Sequence, residues 1–395
     1  MSAHPQTPLD WLTTALEQLD DQRLRRNLRV RSGPQSPTIT CGAQTLAHFG
    51  SNDYLDLAND PRILRAVHAA VDHNGWGSGA SPLISGHTEH HAALADALAR
   101  FEQTEAAMLF TSGFSANAGI IPAIVERGDA IFADQKNHAS LIDGCRLSGA
   151  TISIYRHGDV AHLETLLQQS KSQGKKLVVT DSLFSMDGDF APLNEIAALR
   201  ERYGCMLLID EAHATGVFGD HGRGVAEQMG VDSAVDIKIG TLSKALAGSG
   251  GFVCGQQKLI DWLTHRARSY VFSTSPPVAA VAAAATALEI VKQEPERRRV
   301  LLKRGDALRA TLRNMGFNTG NSESHIVPIF IGSTDRAMDL SRQLLEAGFF
   351  VPAIRPPSVP DGECLLRVSL SCGHAPETIK ALTETLSQLS VKAAV

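Results

Sequence analysis

Seven short, nearly unbroken apolar runs mark the middle of the chain, at residues 107–110, 130–133, 152–155, 177–180, 206–210, 237–240 and 251–254. Stretches of helical periodicity separate many of them, such as 90–101 and 193–203. A strand that is apolar on every residue is buried on both faces, and helical crossovers are what parallel neighbours require. The pattern predicts an α/β fold: a large domain with a mostly parallel seven-stranded sheet, helices on both faces. Upstream, residues 8–31 read as an amphipathic helix rich in Leu and Arg, broken by Ser32-Gly33-Pro34-Gln35-Ser36-Pro37. A strand pair is expected over 38–49.

The pattern changes after Pro276-Pro277. Residues 278–291 are mostly alanine, interrupted by Thr286 and Glu289, and read as a packed helix too short and too weakly apolar to span a bilayer. Helix is expected to continue to about Met315, with the charged stretch 294–304 in solvent. Short strands around 326–330, 349–351 and 365–369 predict a smaller α+β C-terminal domain. The expected division is an arm of helix and short strands over 1–48, a large domain over 49–285 and a small domain over 286–395.

Composition narrows the function. The 395 residues carry a net charge of −5 and only 5% aromatics, which argues against a nucleic-acid partner. Six cysteines without a Cys-x-x-Cys pair fit a reducing, cytoplasmic setting without a structural zinc. Met1-Ser2-Ala3-His4-Pro5 has no signal-peptide pattern.

Candidate chemistry sits at the ends of two apolar runs. One closes as Ile209-Asp210-Glu211-Ala212-His213, the other as Gly240-Thr241-Leu242-Ser243-Lys244. Ligands of open α/β sheets bind beyond the carboxyl ends of the strands. An acid and a lysine there suit pyridoxal 5′-phosphate (PLP). The lysine takes the aldehyde as a Schiff base, and the acid pairs with the ring nitrogen. Taken alone, Lys244 reads as a solvated strand-end lysine, Asp210 as a helix cap and His213 as a loop histidine. Together they read as Schiff-base lysine and proton shuttle, pyridinium partner, and donor to the ring oxygen. Thr241 and Ser243 are candidate phosphate ligands, as is the helix start at Ser112-Gly113-Phe114. His138 offers a flat face for stacking and Ser185 a hydroxyl near the ring. Arg367, inside an apolar run, needs a carboxylate, and a substrate carboxylate would serve. Gly75-Trp76-Gly77-Ser78-Gly79 lacks the spacing of a dinucleotide loop. His87-Thr88-Glu89-His90-His91 and the acidic loop 182–189 lack metal-ligand geometry.

These segments together resemble the α-oxoamine synthases, a fold type I PLP family, over about 51–374. The resemblance rests on Ser51-Asn52-Asp53-Tyr54-Leu55, Asn137-His138-Ala139-Ser140, Ser185-Met186-Asp187-Gly188-Asp189, Asp210-Glu211-Ala212-His213 and the Lys244 segment. Ala353-Ile354-Arg355-Pro356-Pro357-Ser358-Val359-Pro360 is most similar to the branch that joins L-alanine to a pimeloyl thioester with loss of CO₂, early in biotin synthesis. A glycine-using acetyltransferase branch is the alternative, and a nucleotide-dependent oxidoreductase is the alternative from another class. The resemblance implies that Asn52 and Arg367 hold the amino-acid carboxylate. It places Arg25 and Arg355 near the acyl chain. It also implies a homodimer, in which Thr274 reaches the phosphate of the neighbouring subunit.

Overall fold

The computed structural model describes residues 7–393, with side chains described to residue 389. All seven expected strands form one sheet, in the order Ala106–Phe110, Gly251–Gly255, Ile237–Thr241, Met206–Asp210, Lys176–Asp181, Ala130–Asp134, Thr151–Tyr155. Gly251–Gly255 is antiparallel to both neighbours, and the other pairings are parallel. The apolar runs are explained by alternation. Leu207 and Ile209 point into one buried cluster with Val178 and Phe252, while Leu208 points into the other with Val179 and Ile239. Both faces are dry over the central strands, so neither set of positions there can be polar without a partner; the edge strand Thr151–Tyr155 leaves Ile154 61% exposed.

Lys238 tests that rule. It lies in the middle of Ile237–Thr241, is 3% exposed, and is held by Glu102 at 3.0 Å and Asp232 at 2.5 Å. Gly251 shows a second constraint. A Cβ there would sit 2.6 Å from the backbone of Ser112 and Gly113. Only glycine lets the helix Gly113–Ile124 start against this strand.

A second sheet contains Ile326–Gly332, Cys364–Ser369 and Ala353–Ile354, all antiparallel. The expected strand at 349–351 does not join it. Phe349–Phe350 pairs in parallel with Gln44–His48, next to Thr38–Cys41 and Arg31–Ser32, so the N-terminal strands share a sheet with the C-terminal region. Residue 285 falls inside the helix Val278–Gln293. Two helical expectations are corrected. The first helix is Trp11–Asp21 and stops well short of residue 31. Arg23 has φ +55°, and Leu28 and Val30 stand in solvent with nothing to pack on. The helix expected to run to Met315 is broken at Glu294-Pro295 into Val278–Gln293 and Glu296–Asn314. The charged stretch is not all solvated: Arg298 is buried and donates to the Val291 carbonyl at 3.1 Å.

Candidate active site

The carboxyl ends of Lys176–Asp181, Met206–Asp210 and Ile237–Thr241 lie side by side, with Asp181 opposite Asp210 in register. Asp210 is 5% exposed. One oxygen accepts from Asn117 Nδ2 at 2.6 Å and the other from the Ala212 amide at 2.8 Å. Asn117 also donates to Ser140 Oγ at 3.0 Å, and Ser140 Oγ lies 2.7 Å from His138 Nδ1. The Ser140 amide donates to His138 Nδ1 at 3.3 Å, so Nδ1 is an acceptor and takes the Ser140 hydroxyl proton as well. The neutral His138 ring then carries its own proton on Nε2. The His138 amide donates to Asp181 Oδ2 at 2.7 Å. Burial and the Asp210 charge push the Asp181 carboxyl well above the usual range. One network thus ties the acid of one strand to the histidine loop of another.

Lys244 follows Ile237–Thr241 in a loop closed by Leu242 donating to Gly250 O at 3.0 Å. Its Nζ has no partner among the described residues. Removal from water pushes its pKa down to about 8, against the pull of Asp210 and Asp181 and with the help of Arg367. Thr241 Oγ1 donates to Gly250 O at 2.9 Å and sits 2.8 Å from Ser243 Oγ. Facing them is the start of Gly113–Ile124, capped by Ser112, which accepts from Ser115 at 3.0 Å. The amides of Gly113 and Phe114 have no acceptor among the described residues. Free amides at a helix start beside two hydroxyls make an anion cradle.

Arg367 lies in Cys364–Ser369 and is 6% exposed. Its Nε donates to the Ser185 carbonyl at 2.6 Å and Nη1 to Asn52 Oδ1 at 3.2 Å. Its Nη2 is buried without a partner, and no carboxylate of the described residues pairs with it. A buried cation in that state is an incomplete site that calls for an anion. His213 Nδ1 lies 2.6 Å from the Tyr54 hydroxyl, which is also 3.1 Å from Asn52 Oδ1. The donor set fits PLP and an amino acid together: an unpartnered lysine, a buried acid, an anion cradle and an unpaired arginine.

Not every expected residue converges. Arg25 turns its guanidinium to Asp20 at 2.5 Å, away from the cleft, while its carbonyl accepts from Arg355 Nη2 at 2.9 Å. Thr274 is exposed. It lines a 640 Å³ cavity with Thr111, Gly248 and Ser249, beside the Lys244 loop. Ser185 meets Arg367 through its carbonyl. In the acidic loop, Asp187 pairs with Lys136 at 2.5 Å and Asp189 with His157 at 3.1 Å. His91 caps its own helix through Thr88. Sequence reasoning gave no role to Asn117, Ser140 or Asp181, and none to Tyr54 beyond its motif. The available signal was weak: a polar residue in an otherwise apolar helix start or strand end, which burial obliges to find a partner.

Residues 45–386 match the family described as Aminotransferase class I and II. The 8-amino-7-oxononanoate synthase of Geobacter sulfurreducens is 46% identical over 376 residues, 95% of this chain and 96% of that one. The enzyme of the same name from Anaeromyxobacter dehalogenans is 48% identical over 366 residues, 93% of this chain and 92% of that one. Among solved structures, Sphingomonas wittichii serine palmitoyltransferase superposes with a TM-score of 0.93 at 34% identity, covering 99% of both chains. The 8-amino-7-oxononanoate synthase of Francisella tularensis superposes with a TM-score of 0.77 at 26% identity, covering 89% of this chain and 99% of that one. The fold, the convergent donors and these likenesses agree, and the chain belongs to the 8-amino-7-oxononanoate synthase family within the class I and II aminotransferases.

Proposed function

We propose that this chain joins L-alanine to a pimeloyl thioester, releasing CO₂ and the thiol carrier and forming 8-amino-7-oxononanoate for biotin synthesis. The observation that carries the reading is the buried Arg367, one nitrogen short of a partner, at the strand ends that also hold Lys244 and Asp210. PLP, held through its aldehyde by Lys244, supplies the electron sink for the pair left on the amino-acid α-carbon. Every other task falls to the chain. Arg367 and Asn52 take the alanine carboxylate and fix its orientation. Lys244, released when the alanine amine replaces it on the aldehyde, would accept the α-proton and return one, and burial, which lowers its pKa to about 8, favours the neutral amine this needs. Asp210, held by Asn117 and the Ala212 amide, would pair with the ring nitrogen. His138 would stack on the ring. Ser185 and His213 would meet its oxygen. Ser112, Gly113, Phe114, Thr241 and Ser243 would hold the phosphate.

Arg25 and Arg355, joined by the Arg355 Nη2 bond to the Arg25 carbonyl at 2.9 Å, would contact the acyl chain. Thr274 serves the phosphate site of a second copy, so the working unit is a homodimer. No helix of the described residues is long and apolar enough to cross a membrane, and we place the enzyme in the cytoplasm. Lys244→Ala is expected to lose at least about 10²–10⁴-fold in kcat, the usual scale of a positioned acid–base group. Turnover close to that of the unaltered enzyme would remove Lys244 from the chemistry.

A further inference from the structure

Two buried acids stand side by side at the strand ends. Asp181 and Asp210 are opposite each other in register on parallel neighbours, and each is 5% exposed. Neighbouring strands run about 4.8 Å apart, and two carboxylates that close, out of water, are costly to charge together. Their hydrogen bonds differ. Asp210 accepts from Asn117 Nδ2 at 2.6 Å and from the Ala212 amide at 2.8 Å. Among the described residues the Asp181 carboxyl accepts one bond, from the His138 amide at 2.7 Å. Burial, and then the charge of Asp210, push Asp181 well above the usual carboxylate range, with Asp134 adding to both, while the His138 amide and Lys244 pull the other way. Asn117 is 1% exposed and lies on the helix Gly113–Ile124, whose start forms the anion cradle. A carboxylate oxygen only accepts, so the amide nitrogen of Asn117 must face Asp210. The same nitrogen donates to Ser140 Oγ at 3.0 Å, so both of its hydrogens are in use. Asn117 Oδ1 is left buried with no partner among the described residues. An unsatisfied acceptor is costly, so packing alone does not account for an asparagine here; its two donors do.

We propose that Asn117 is a positioning residue that selects Asp210 over Asp181 as the charged acid of the pair and, through its second hydrogen, ties that acid to the loop of Ser140 and His138. The inference rests on the function proposed above, in which Asp210 pairs with the ring nitrogen of PLP. Without the Asn117 donor the two acids share the charge, and the ring nitrogen holds its proton less tightly.

The test compares the unaltered full chain with Asn117→Val, which keeps the space filled and removes both donors. With PLP labelled by ¹⁵N in its ring, a pH titration of that resonance should show the proton affinity of the ring nitrogen falling about 10–150-fold in the variant, the scale of one charge-assisted hydrogen bond. Without PLP, ¹³C NMR of labelled aspartates, Asp181 being assigned by Asp181→Asn, should show Asp181 still protonated above the usual carboxylate range. In Asn117→Val it should titrate at lower pH. A ring nitrogen that titrates alike in both proteins would overturn the inference, as would an Asp181 titration that the variant leaves unchanged. An unaltered protein whose Asp181 titrates in the usual carboxylate range would overturn it even if the variant failed to fold. A protein that takes up no PLP would overturn the proposed function, while Asp181 measured without PLP still decides the role of Asn117.

Discussion

Arg367 shows how much one side chain can say. Two of its three nitrogens donate to neutral oxygens and the third has no partner, so its charge is balanced only when an anion arrives. Removing a charge-assisted bond costs about 1.5–3 kcal/mol, so Arg367→Ala should raise the alanine KM about 10–150-fold with a smaller change in kcat. An unchanged KM in steady-state kinetics would put the carboxylate elsewhere. Residues of this kind were legible beforehand because an ionisable group at or inside an apolar strand has few bland explanations. Lys244, Asp210 and Arg367 all announce themselves that way. Asn117 does not. It meets Asp210 from 93 positions away, and no local pattern tells a buried asparagine which strand end will face it.

At the level of elements, the site is an assembly of loops, and His157 holds two of them together. It lies between Thr151–Tyr155 and the helix Val160–Gln169. Nδ1 is 2.9 Å from Asp134, at the root of the loop that carries His138, and Nε2 is 3.1 Å from Asp189, in the loop that carries Ser185. Burial alone would lower its pKa, but the bonds to Asp134 and Asp189 outweigh it and raise it to about 9. The raised value has a definite sign in stability. The clamp contributes fully below the unfolded pKa of about 6.5 and is lost as pH rises through about 9, up to about 3 kcal/mol in all. His157→Asn should therefore melt lower than the unaltered protein at pH 6, with the gap in Tm closing toward pH 10. A gap independent of pH would deny the ion pair. The strands themselves were readable because burial on both faces leaves a continuous apolar run. The overlong first helix was not, since periodicity does not reveal whether a surface exists to receive the apolar side. Leu28 and Val30 found none. The parallel pairing of Phe349–Phe350 with Gln44–His48 joins residues 302 positions apart (349 − 47), a distance at which sequence pattern carries no register.

For the whole molecule, the apolar surface beside the site is the feature that one chain leaves unexplained. Trp76 and Thr274 line the 640 Å³ cavity that opens next to Gly248 and Ser249. Phe272 and Ile84 are also exposed nearby in sequence, at 72% and 79%. Exposed large apolar side chains beside a site mark a candidate contact surface. If the proposed homodimer closes over this surface, Trp76→Asp with Phe272→Asp should convert it to monomers in analytical ultracentrifugation and weaken PLP retention; a variant that sediments unchanged would place the interface on another face. If this cleft holds PLP on Lys244 and admits L-alanine ahead of the thioester, the absorption spectrum of the PLP-loaded protein will show it, recorded before and after L-alanine and then with pimeloyl-CoA while free thiol is monitored. A visible lysine-adduct band, missing in Lys244→Ala, should shift with L-alanine and be followed by thiol release. A band that ignores L-alanine and responds to glycine with acetyl-CoA, or no visible band at all, would contradict the proposed function.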